Sequence, residues 1–110
     1  MKSDRERLLD ISEAIDRIQR YSGRGREEFA GDELLQTWVL HHLQIIGEAV
    51  GRLSDSLKEQ HPEIPWRQIV AMKNILVHDC FAIDVNEVWN VVERDLPDLK
   101  TKVDSVLHNT

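Results

Sequence analysis

The tightest constraint on this chain is a spacing. Leu8, Ile11, Ile15 and Ile18 recur at steps of three and four through SDRERLLDISEAIDRIQRY, the period of one face of an α-helix. A second stripe runs through Leu35, Trp38, Val39, Leu43, Ile46, Ala49, Val50 and Leu53, predicting a long helix from about Asp32 to Leu53. That stripe is wider than one packed face needs. The spacing therefore predicts one side covered by a helix of the same chain and leaves the other for a second subunit. Nothing alternates at period two, so nothing reads as strand.

Breakers divide the pattern. Gly23 and Gly25 end the first helix and leave a basic turn with Arg24 and Arg26. The stretch SDSLKEQHPEIP is a connection, and Pro65 is placed as the first residue of a new helix. That helix, PWRQIVAMKNILVH, sets Trp66, Ile69, Met72 and Leu76 on a core stripe and gives way over residues 79–83. Asp84 followed by Glu87 has the spacing of a reciprocal helix cap. Val88, Trp89, Val91 and Val92 form the next buried face, and Pro97 is read as an interruption. Leu99, Val103, Val106 and Leu107 close the chain in a last short helix. The expectation is all-α: an up-and-down bundle of four to five helices in a single domain over residues 1–110.

Composition narrows the function classes. The formal net charge of the 110 residues is −6, which argues against a protein that coats nucleic acid through a general basic field. It leaves room for an enzyme with one local basic site. No apolar run approaches the roughly 20 residues that cross a bilayer, and MKSDRERLLD lacks a signal-peptide apolar region. The single cysteine, Cys80, cannot form an internal disulfide. A cytoplasmic location and no membrane partner are expected.

Phosphate-cradling glycine motifs, nucleophile elbows and paired-cysteine metal sites are absent from the sequence. His41 and His42 are adjacent and diverge on a helix by about 100°, a poor metal arrangement, so they are read as structural. His61, before Pro62, and His108, near the end, are read as incidental. The three tryptophans fall on apolar stripes and are assigned to the core.

His78 stands apart because of its neighbours in MKNILVHDCF. Asn74 lies four residues earlier on the same helical face, placed to orient the imidazole. Asp79 is adjacent, and Lys73 brings a cation close. Lys73 and His78 are five residues apart, about 140° around an ideal helix. One straight helix cannot turn both to one phosphate. Either the helix unwinds near His78 or a second subunit completes the site. The spacing also fits a histidine sitting at the negative end of a helix dipole.

The segments LLDISEAIDRI, GDELLQ with Phe29 before it, LQIIGEAVGRLS, HPEIPWRQIVAMKN, LVHDCFAID and VWNVVERDLP resemble, in this order and nearly end to end, the HepT-type toxins of the HEPN superfamily. Those toxins are partners of minimal nucleotidyltransferase antitoxins. The family motif is Arg, four residues, His, one residue, Tyr, and it falls here on Lys73, His78 and Cys80. The resemblance implies a homodimer whose two motifs face each other, acting as an endoribonuclease on transfer or messenger RNA without metal or cofactor. His78 would serve as general base or acid on the 2′-hydroxyl and a cation would stabilise the phosphate. The antitoxin would silence the toxin by transferring AMP to the motif tyrosine.

Two positions depart from that pattern. Lys73 keeps the charge of arginine but loses the planar fork that grips two oxygens. Cys80 removes the phenol that would accept AMP. Tyr21, the only tyrosine, ends the first helix and is not assigned the role. Two expectations follow: an active ribonuclease altered at two motif positions, or a catalytically inactive dimer serving as a binding module for the nucleotidyltransferase or a nucleotide.

Overall fold

A computed structural model of the chain describes residues 2–78 and 84–109, with 73–78 described as backbone only. Helix α1 spans Asp4–Ser22, and its start is a complete reciprocal cap. The Glu6 N–H donates to Ser3 Oγ at 3.2 Å, and the Ser3 N–H donates to Glu6 Oε1 at 3.4 Å. Gly25 then takes φ 100°, a backbone that a side chain would strain. Helix α2 follows over Arg26–Gly31, a short turn of helix the stripe pattern does not predict.

Helix α3 spans Glu33–Gly51, slightly shorter than expected at both ends. Asp32 sits outside it as its cap, Oδ1 accepting from the Leu35 N–H at 3.1 Å. The connection expected after Leu53 contains a further short helix, α4, Asp55–Gln60. Ser54 starts it, and Asp4 fastens that start: Asp4 Oδ1 and Oδ2 accept from the Ser54 N–H and hydroxyl at 3.0 and 2.6 Å. Those two bonds hold the Asp4 carboxyl below the usual carboxylate range.

Helix α5 spans Trp66–His78. Pro65 lies just before it, its carbonyl accepting from the Ile69 N–H at 3.1 Å. Helix α6, Val85–Asn90, is capped by Asp84, whose Oδ1 accepts from the Glu87 N–H at 3.1 Å. It passes into a π-helical segment, Val91–Asp95, and then into α7, Leu96–His108. Pro97 therefore does not interrupt the chain. In an α-helix its ring would collide with the carbonyl four residues back. The wider π turn, with the Leu96 N–H reaching the Val91 carbonyl, relieves that collision and lets one helical rod run from Val85 to His108.

The architecture is the expected all-α bundle. α1 packs along both α3 and α7, α3 also packs on α5, and α2 touches α3 and α6. Ile11, Ile15 and Ile18 meet Val39, Leu43, Ile46 and Val50 in the core, closed by Val92, Leu96 and Val103. Among the described residues there is no strand, and no helix is long and apolar enough to cross a membrane. Trp66 and Trp89 are buried as expected, but Trp38 is 37% exposed. Its position lies at the edge of the α3 stripe, facing the rim of α1 rather than the core.

A polar clasp joins α1 to α7. Lys100 Nζ donates to Ser12 Oγ at 2.7 Å and pairs with Asp16 and Asp104 at 3.2 and 3.0 Å, while the Ser12 hydroxyl donates to Asp104 Oδ1 at 2.7 Å. Burial pushes the Asp104 carboxyl up, but the bonds from Ser12 and Lys100 and the ammonium charge outweigh it and leave it below the usual range. A lowered folded value stabilises above the ordinary carboxylate range and loses that contribution as pH falls through it. The Asp104 side chain is 46% exposed, so solvent screening limits the effect. Asp104→Asn should cost under about 1 kcal/mol at pH 7. Urea unfolding at stepped pH should show the gap to wild type closing in acid.

Candidate functional site

Helix α5 carries the positions singled out in the sequence. Its start is fixed from outside: the Trp66 indole N–H donates to the His61 carbonyl at 3.0 Å, and the Trp66 N–H reaches the Ile64 carbonyl at 2.9 Å. Trp66 and Ile69 are buried and Met72 is half-buried against the core. These contacts hold the first two turns, and the helix then projects positions 73–78.

Lys73, Asn74 and His78 all lie on this one uninterrupted helix, with His78 its last residue. Positions 74 and 78 share a face, whereas 73 and 78 stand about 140° apart around the axis. The backbone does not unwind before His78, so the first of the two ways to bring both positions to one phosphate does not operate there. The end of α5 is also where a cationic histidine gains from the helix dipole. Asp79 and Cys80 lie outside the described residues.

The other histidines are placed as expected, with one addition. His61 Nδ1 lies 3.3 Å from Glu63 Oε1, and His108 ends α7. His41 is exposed, while His42 is only 2% exposed. Its Nδ1 sits 2.8 Å from the Trp38 carbonyl oxygen, and its ring packs 4.3 Å from the Trp38 ring, centroid to centroid. The four-residue step from Trp38 to His42 is the sequence signal for that pair; its orientation toward α1 is not legible in the step. Among the described residues no group of His, Cys, Asp and Glu could hold a metal ion.

Two grooves flank α5. One, of about 250 Å³, lies between α5 and α7 with Ile69, Met72, Leu96 and Leu99 as its apolar wall. The other, of about 540 Å³, lies toward α4 and is lined by Lys58, Arg67 and Val70 among others. Arg67 and Lys58 are thus the described cations on the α4 side of the helix.

The family model described as Ribonuclease HepT-like matches residues 11–106, a span that runs from within α1 to within α7. A protein named probable ribonuclease HepT from Thermococcus cleftensis is 38% identical over 96% of both chains. Two proteins named "Putative RNase", from Caldanaerobacter subterraneus subsp. tengcongensis and Methanocaldococcus jannaschii, are 32% and 35% identical. They match over 93% and 90% of this chain and 89% and 92% of their own. No solved structure matches the chain.

Proposed function

This chain belongs to the HepT-like ribonuclease family, and from that premise we propose that it is a metal-independent endoribonuclease acting on transfer or messenger RNA. In this reading it is the toxin half of a pair whose other half is a minimal nucleotidyltransferase. The observation that carries the reading is the family match over residues 11–106; the resemblance puts the motif positions at Lys73, His78 and Cys80.

His78 takes the proton of the RNA 2′-hydroxyl or returns one to the leaving 5′-oxygen. Lysine at position 73 supplies the cation for the phosphate as a point charge rather than a two-pronged clamp. The 140° between these positions makes a site within one chain unfavourable, so the active unit is a homodimer in which His78 of one protomer works beside the cation of the other. Asn74, one turn before His78, orients the ring, and Asp79 adds a carboxylate next to it.

Cys80 offers no phenol for AMP. The partner therefore restrains this toxin by covering it, or the chain escapes that control. The second reading, an inactive dimer that only binds, is favoured by the same two replacements, Lys73 and Cys80.

The test is incubation of purified protein with transfer and messenger RNA in the presence of EDTA, with light scattering alongside. Cleavage by a dimer is the expected result. Intact RNA at high protein concentration would leave the binding module, and a cleaving monomer would remove the shared site.

A further inference from the structure

Positions 67, 71, 74 and 78 of α5 follow one another at steps of four, three and four. They share one face of the helix: 67 and 78 differ by about 20° around the axis and lie about 16 Å apart along it. Trp66 and Ile69 are buried, while Arg67 and Ala71 are exposed. The face that carries positions 74 and 78 therefore continues toward the start of α5 as an open strip. A small side chain stands in its middle and a cation at its far end.

The side chain of Arg67 enters no ion pair or hydrogen bond among the described residues. Glu63, four residues earlier, lies 3.3 Å from His61 Nδ1. Asp55 and Glu59 line the neighbouring groove from α4, with Lys58 between them in the chain. Lys58 also acts on Asp4, so its charge is already placed. Arg67 is the described cation on the strip, on a chain whose net charge of −6 gives it no general attraction for RNA.

We propose that Arg67 is a positioning residue for the RNA strand, holding a phosphate a few nucleotides away from the one cut at His78. This rests on the ribonuclease reading above. The strand runs along the α5 strip, where the methyl of Ala71 lets the sugar–phosphate backbone lie close to the helix. The guanidinium at its end takes two oxygens of one phosphate. Such a contact fixes register without reading sequence, so Arg67 determines which stretch of strand reaches His78 and takes no part in the chemical step.

The experiment is steady-state cleavage of a labelled single-stranded RNA by the full chain, beside Arg67→Ala and Arg67→Lys. Arg67→Ala should raise KM on the order of tenfold and leave kcat within about twofold, the signature of lost uniform binding. Arg67→Lys keeps the charge without the fork and should recover part of the loss. Substrates shortened stepwise from either end give a second readout. Once the phosphate held by Arg67 is gone, the parent and Arg67→Ala should cleave alike. With His78→Ala added, RNA stays whole, and anisotropy at several salt concentrations should show Arg67→Ala flattening the slope of log K against log salt by about 0.7, one single-strand phosphate contact. Thermal melts check that each variant folds.

Unchanged KM and unchanged slope in Arg67→Ala overturn the proposal and leave a solvated surface arginine. A fall in kcat at constant KM overturns it as well, because the residue would then act on the chemistry. If the parent cuts no RNA while the slope still falls in Arg67→Ala, the ribonuclease reading fails and the strip stands. If the chain binds no RNA at all, both fail.

Discussion

His78→Ala should abolish RNA cleavage, lowering kcat by about 10²–10⁴-fold, the range a positioned general acid or base contributes. The alanine removes the only group at the family's histidine position and leaves Lys73 to bind phosphate without moving a proton. RNA binding should therefore survive, which separates loss of chemistry from loss of fold. The companion variant, Lys73→Arg with Cys80→Tyr, restores the family motif. It should cut faster than the natural chain, because the guanidinium grips two oxygens where an ammonium offers one point of charge. Cleavage products from timed digests read both effects. If His78→Ala cuts as well as the parent, the histidine is only a helix end; if only the restored motif cuts, the natural chain is a binder.

Phe29→Ala should be the most costly single truncation outside the long helices, at about 3–5 kcal/mol. Phe29 is fully buried on α2, a helix of six residues that is too short to hold itself together. Its ring lies 5.5 Å from the Trp89 ring on α6, and its carbonyl accepts from Gln36 Nε2 at 2.9 Å. The ring thus pins the α1–α3 connection to the α6 end of the bundle. Against a total stability of about 5–15 kcal/mol for a domain of this kind, that loss should lower Tm by at least about 10 °C. Differential scanning calorimetry checks it. A fall of less than a few degrees would mean that α2 is held by its backbone bonds rather than by Phe29.

The long helices were legible because their information is local. Ile11, Ile15 and Ile18 repeat with the helix period whatever they pack against, and Asp32 and Asp84 mark starts because a short acceptor satisfies the first free N–H groups. The short helices α2 and α4 were not legible, since six residues carry too little periodicity and exist by tertiary attachment. Asp4 reaching across to Ser54 at the start of α4 is such an attachment. Pro97 misled for a related reason. A proline signals a broken α-helix, and nothing local announces that a π turn will absorb it.

Lys73 and His78 could be found in the sequence because they lie within six residues on one helix, and the resemblance gave them a role. The 140° between 73 and 78 also follows from the sequence, provided the helix stays intact, and the intact backbone to His78 is what the fold added. The burial of His42 could not be read that way, because whether a histidine on an amphipathic helix is buried depends on the helix beside it. Fold class and long-helix placement were thus decided by periodicity and capping, which act over a few residues. The exposure of Trp38, the burial of His42, the anchoring of α2 and α4 and the passage through Pro97 were decided only when separate helices met, because burial is a property of the packed pair.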